Sequence, residues 1–186
     1  MIRVKYKRLV PEAYVPMRAH LGDAGFDLAP VKVEVEDRLV KCSFGLAVEI
    51  PPGHVGLVFP RSSIYKTEWR LSNSVGVIDP NYRGELKAFF DIITEDKDKL
   101  MFDTETHAWD DAVREAGYKP GERCCQLIIM EIPQVAFVES ISLSDSDRGT
   151  GGFGSTGNNM EAMAEEPFGI PCLKNEQETL KVRRQV

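Results

Sequence analysis

Apolar and polar residues alternate over short stretches through the first two thirds of the chain. Ile2, Val4 and Tyr6 are interleaved with Arg3, Lys5 and Lys7, the period of a half-buried strand. The same reasoning predicts strands at 31–35 (VKVEV), 44–50 (FGLAVEI), 54–59 (HVGLVF), 86–93 (LKAFFDII) and 124–132 (CCQLIIMEI). Pro51-Pro52-Gly53 is a strong turn signal between two of them. Residues 76–85 read as strand, tight turn, strand, with Asp79 and Tyr82 at the tip. Many short strands that do not alternate with helices predict an all-β sandwich or barrel. There is no internal repeat.

Two stretches break this pattern. Residues 94–119 hold eight acids and four bases. Within them Trp109, Ala112, Val113 and Ala116 fall at i, i+3, i+4 and i+7, one face of a helix. Thr106 is placed to cap its start and Gly117 its end, so a short helix is expected around 106–117 in an acidic insert. Its apolar face would pack on the barrel or receive a protein partner through Trp109. After Ser144 the chain runs through five glycines between Gly149 and Gly157, too polar and too glycine-rich for packed core. That composition predicts a mobile arm over 145–157 that orders on binding. Residues 158–186 follow it, and their pattern specifies no structure.

Composition narrows the class. A length of 186 residues suits one domain, and 42% hydrophobic residues supply a core. The net charge of −6 argues against general nucleic-acid binding, which needs a basic footprint. No apolar run approaches the roughly 18 residues of a membrane span, and the N-terminus lacks a signal core. Cys42, Cys124, Cys125 and Cys172 include no CxxC, and the adjacent pair lies in an apolar run. The expectation is a cytoplasmic protein (host-cell cytoplasm for a viral one), with no direct nucleic-acid or membrane partner.

Candidate chemistry lies in five clusters. The arm fits GxGxxG at Gly149, Gly151 and Gly154, but it follows SLSDSD and lacks a βαβ context. It also fits GxxxxG, with Ser155 where a Walker loop has lysine. What survives is a row of backbone N–H groups able to grip phosphate, with Ser155 and Thr156 adding hydroxyls. A flexible linker has the same composition. Pro60-Arg61-Ser62-Ser63 offers a guanidinium and hydroxyls to an anion, or is a solvated turn. Asp79 in its turn is either a backbone cap or a reacting carboxylate. Gly121-Glu122-Arg123-Cys124-Cys125-Gln126 opens a buried strand, and Asp23-Ala24-Gly25-Phe26-Asp27-Leu28 places two carboxylates around a glycine turn.

In that order these clusters resemble the five motifs of the trimeric dUTPase family, over about residues 3 to 157. The resemblance implies a jelly-roll-type β-barrel as one domain over 1–157, with 158–186 as a C-terminal extension. It implies a homotrimer that hydrolyses dUTP to dUMP and pyrophosphate with Mg²⁺, limiting uracil in DNA and supplying dUMP for thymidylate synthesis. In that case Asp79 activates the attacking water and Asp27 holds Mg²⁺ through a water. Arg61, Ser62, Ser63 and Gln126 bind phosphates, and Arg148, Ser155 and Thr156 close over them from a neighbouring subunit's arm. Asn73, Gly76, Ile78, Tyr82 and Phe153 surround the nucleoside. Ser63 replaces the family's usual glycine, and the 94–119 insert and the 158–186 tail are longer than usual, as in viral relatives.

Two other readings compete. The dCTP deaminases share the barrel and an Arg-Ser-Ser element but need a glutamate where this chain has Phe89, which cannot move protons. Zinc deaminases are disfavoured because no HxE or PCxxC is present. A scaffold that binds a protein partner through the insert is the non-enzymatic alternative, expected here as an addition to catalysis.

Overall fold

Alternation becomes strand wherever a neighbouring strand stands ready to take up the backbone hydrogen bonds. Residues 1–36, 38–93, 102–103, 108–109 and 117–152 are described by the structure, a computed structural model. Along them run β1 (Lys5–Arg8), β2 (Phe26–Leu28), β3 (Lys32–Glu36), β4 (Leu39–Ser43), β5 (Leu46–Glu49) and β6 (His54–Pro60). A 3-10 helix (Ser62–Lys66), β7 (Trp69–Leu71), β8 (Gly76–Ile78), β9 (Lys87–Ile92), β10 (Phe102–Asp103), β11 (Ala108–Trp109) and β12 (Cys125–Glu131) follow. Two four-stranded antiparallel sheets result, in the orders β2-β12-β6-β8 and β3-β4-β9-β7. The pairs β1-β5 and β10-β11 stand beside them. The architecture is all-β, of the jelly-roll type.

Both sheets feed one apolar core. Leu28, Val58 and Leu127 come from one sheet, Val40, Phe90 and Ile92 from the other, and Leu46 and Val48 from β5. Strand β9 shows the cause: Ala88, Phe90 and Ile92 point inward while Lys87 and Phe89 are exposed. Full burial of a side chain such as Phe90 contributes about 1.5–3 kcal/mol. Cys42, Cys124 and Cys125 are buried free thiols, the adjacent pair as its apolar run led one to expect. No helix among the described residues is long and apolar enough to cross a membrane.

Two expectations are corrected. Strand β1 exists, but its four residues are all exposed, because it pairs only with β5 and offers the core only the half-buried Val4 just before it. The helix expected around 106–117 does not hold at its start: Ala108–Trp109 is a strand, paired antiparallel with Phe102–Asp103. Backbone pairing with Phe102–Asp103 takes up the hydrogen bonds that a first helical turn would have made. The rest of that expected helix lies outside the described residues.

The chain divides into two compact units, Met1–Ala136 and Phe137–Val186. The first contains every strand named above. In the second, residues 137–152 carry no strand; turns close with Gly149 N donating to Ser146 O (2.9 Å) and Gly151 N to Arg148 O (3.0 Å). Phe153, Ser155, Thr156 and the 158–186 tail lie outside the described residues.

Candidate active site

Strand β2 is short, but its pairing with β12 sets Asp27 opposite Gln126. The Asp27 carboxylate is largely covered, at 15% side-chain exposure, and each of its oxygens accepts from an arginine. Arg61 Nε donates to Oδ1 at 2.9 Å, and Arg123 Nη1 donates to Oδ2 at 2.7 Å. Arg61 is itself seated by its backbone N–H on Cys124 O (3.0 Å) and by Nη1 on Arg123 O (3.3 Å). Two guanidiniums around one carboxylate leave a net positive charge beside the Gln126 amide, the electrostatics of an anion site. Ser62 is exposed at the same turn, whereas the Ser63 hydroxyl is hydrogen-bonded to the Tyr118 hydroxyl at 2.9 Å.

A second cluster lies around the hairpin after β8. Ser74, at φ 60°, and the bond from Ser74 N to Leu71 O (3.0 Å) turn the chain into β8, whose Gly76 faces Val58 and Ile78 faces Gly56. Asp79 follows, exposed, and its carbonyl accepts from Tyr82 N at 3.1 Å. The Tyr82 hydroxyl donates to Glu85 O at 2.9 Å, so its ring folds back over the hairpin. That fold needs Gly84, because a Cβ there would collide with the Tyr82 ring. Asp79, Tyr82, Ile78, Lys87 and Phe89 line a cavity of about 270 Å³. Among the described residues the Asp79 side chain makes no hydrogen bond or ion pair, which leaves it open to a ligand.

The structure therefore brings Asp27, Arg61 and Gln126 together, and separately Ile78, Asp79 and Tyr82. It does not bring the two groups together within one chain. Arg61 follows β6 at one end, while Asp79 follows the β8 residue opposite Gly56 near the other end, roughly 20 Å away at the rise of an extended strand. Asn73 is exposed at the base of the second group's hairpin. In the second unit, Arg148 Nε donates to Gly151 O at 2.9 Å.

Sequence reasoning left Arg123 unassigned, although it supplies the shorter of Asp27's two ion pairs. Its place in a Gly-x-Arg-x-x-Gln run was a signal, but only the β2–β12 register shows what it meets. Lys87 and Phe89 were likewise missed as walls of the Asp79 cavity; their outward phase on β9 carried that information. Burial raises the Tyr118 phenol above its ordinary range, against the Ser63 hydrogen bond. Hydrogen bonding to Cys124 and burial push the Cys42 thiol far up, and hydrogen bonding to Cys125 leads the rise at Cys124. These thiols are core groups without nucleophilic character at neutral pH.

Comparison with known proteins bears on the family and the fold. A family model described as dUTPase matches residues 12–99. The deoxyuridine 5'-triphosphate nucleotidohydrolase of Rhodococcus erythropolis is 35% identical over 173 residues, covering 91% of this chain and 94% of that protein. The dUTPase of Staphylococcus bacteriophage 80alpha, solved with dUPNHPP, superposes with a TM-score of 0.69 at 29% identity, covering 84% of this chain and 99% of that one. A variant dUTPase of phage phi11 of S. aureus, solved with a structural Mg(II) ion, gives a TM-score of 0.57 at 27% identity over 75% of this chain and 98% of that one. Similarity of this degree runs along nearly the whole length of these relatives and extends to the all-β fold, and the chain belongs to the dUTPase family.

Proposed function

We propose that the protein hydrolyses dUTP to dUMP and pyrophosphate. The observation that carries this reading is Asp27 clasped between Arg61 and Arg123 beside Gln126, a preorganised positive locus whose donors suit phosphate oxygens. Arg61, Ser62 and Gln126 hold the α- and β-phosphates. Asp79 accepts a proton from a water as that oxygen bonds to the α-phosphorus, and the bond from the α-phosphorus to the bridging oxygen breaks, releasing pyrophosphate. Tyr82 lies along the sugar, and the backbone from Asn73 through Gly76 to Ile78 reads the base edge. Phe89 on the cavity wall offers no proton, which favours hydrolysis over deamination.

A base must stand within about 3 Å of the water it activates. The separation of roughly 20 Å along β6 means that one chain's Asp79 serves phosphates held by another chain's Arg61. A closed homotrimer meets that requirement, with the 145–157 arm of a neighbour bringing Arg148, Ser155, Thr156 and Phe153 over the nucleotide. Such closure excludes water and completes the site.

Mg²⁺ fits as an ion that arrives with the triphosphate. Among the described residues no group of three or more His, Cys, Asp or Glu is arranged to hold a metal ion. Asp27 keeps lone pairs beyond its two arginine contacts, which suits a contact through water to a hard, hydrated cation. When bound, the ion neutralises charge on the phosphates.

The test is pyrophosphate release from dUTP, dCTP, dTTP and UTP, each with Mg²⁺ and with EDTA. Release from dUTP alone, abolished by EDTA, is expected. Turnover of none of the four would refute the reading and leave a binding role for the insert and tail.

A further inference from the structure

Ser63 departs from the glycine usual in the family, and the structure gives it a partner. Its hydroxyl lies 2.9 Å from that of Tyr118, 55 residues away in sequence. Tyr118 is itself fixed, at 8% exposure. Its ring packs edge-on to Trp69 (6.0 Å between centroids) and tilted onto Phe90 (6.4 Å). Gly117, just before it, runs so close to the Trp69 indole that any side chain there would collide with the ring. The Arg61-Ser62 turn is therefore held on both sides of Ser62: by Arg61, through Cys124 O, Arg123 O and Asp27, and by Ser63 on Tyr118. Ser62 stands exposed between the two anchors.

We propose that the Ser63–Tyr118 hydrogen bond is a positioning device that ties the phosphate-gripping turn at Arg61-Ser62 to the Trp69–Phe90 aromatic core. Ser63 acts from behind the turn, through Tyr118, and does not touch phosphate itself. Without the tie, the turn loses its anchor on the far side of Ser62, and the Ser62 segment must be ordered at the moment of binding while Arg61 stays held by Asp27 and Cys124. A phenol is protonated at neutral pH, and burial moves Tyr118 further in that direction.

The inference deepens the hydrolase reading and rests on it only for its kinetic readout. The experiment compares the full chain with Tyr118→Phe, Ser63→Ala, the double variant and Ser63→Thr. For each, KM and kcat for dUTP, the Kd for inorganic pyrophosphate by calorimetry, and Tm are measured. Each single loss should raise KM and the pyrophosphate Kd about 3- to 10-fold, as expected for one net hydrogen bond, with KM moving more than kcat. The double variant should be no worse than either single one, and Ser63→Thr, which keeps a hydroxyl, should stay near the parent. Unchanged KM and Kd in both single variants, or fully additive losses, would overturn the tie while leaving the hydrolase reading intact. Absent dUTP turnover with a Kd that still responds would refute the hydrolase reading and uphold the tie. If Tyr118→Phe fails to fold, Ser63→Ala at its half-buried turn decides the matter.

Discussion

Asp27 is the residue on which the proposed phosphate site turns, because its charge sets how Arg61 and Arg123 are spaced. Removing Arg61 leaves Asp27 with Arg123 alone and, on the proposed reading, takes away a charge-assisted contact to substrate. Arg61→Ala should therefore lower kcat/KM for dUTP on the order of 10- to 100-fold, read from initial rates of pyrophosphate release. A second prediction concerns alkali. Cys42, Cys124 and Tyr118 have their pKa values raised in the folded state by thiol hydrogen bonding and burial. An acid whose folded pKa is raised stays protonated when its unfolded counterpart ionises, so stability is fully present below the unfolded pKa and falls as pH rises past it. Tm should hold from neutral pH up to about pH 8 and decline above about pH 9, where unfolded thiols and then phenols ionise. Tyr118→Phe should flatten the part of that decline above about pH 10.

At the scale of elements, β9 joins fold to site. Its inward face supplies Phe90, fully buried and in ring contact with Trp69 and Tyr118, and its outward face supplies Lys87 and Phe89 to the Asp79 cavity. Phe90→Ala should cost about 3–5 kcal/mol, measured by urea unfolding, because the aromatic cluster cannot collapse into the space. The insert behaves differently. Tyr118 belongs to the core and holds Ser63, so a deletion of 94–116 that retains Gly117 and Tyr118 should leave dUTP turnover within a few-fold of the parent. Extending the deletion to 119 removes Tyr118 and should lower both Tm and activity. Strands β6, β9 and β12 were legible within a residue or so, since each has enough alternation or apolar length to stand out. Strand β2 was not: Gly25 and two aspartates look like a turn, and three residues become a strand only because β12 offers the opposite edge. The first turn of the 106–117 helix was misread for a related reason: four apolar positions are a thin basis, and the Ala108–Trp109 backbone found a partner in Phe102–Asp103.

For the whole molecule, the separation of Asp79 from Arg61 along β6 makes a test by mixing decisive. Asp79→Asn and Arg61→Ala chains should each be nearly inactive alone. Denatured together in equal amounts and refolded, they should regain activity, about a quarter of the parent level for a site that draws one residue from each of two neighbours in a random trimer. No recovery would show that a single chain builds its own site. The order of five motifs determined, without coordinates, the family and its class of substrate, because each motif is a short turn-centred run whose local chemistry is written in adjacent letters. The sandwich with its shared core followed from alternation as well, since period two admits few other packings. Only the tertiary structure decided that Arg123 completes the clasp on Asp27, that Ser63 faces Tyr118, and that the two halves of the site lie at opposite ends of β6. Those facts depend on strand register and on contacts between residues tens of positions apart, which local pattern cannot encode.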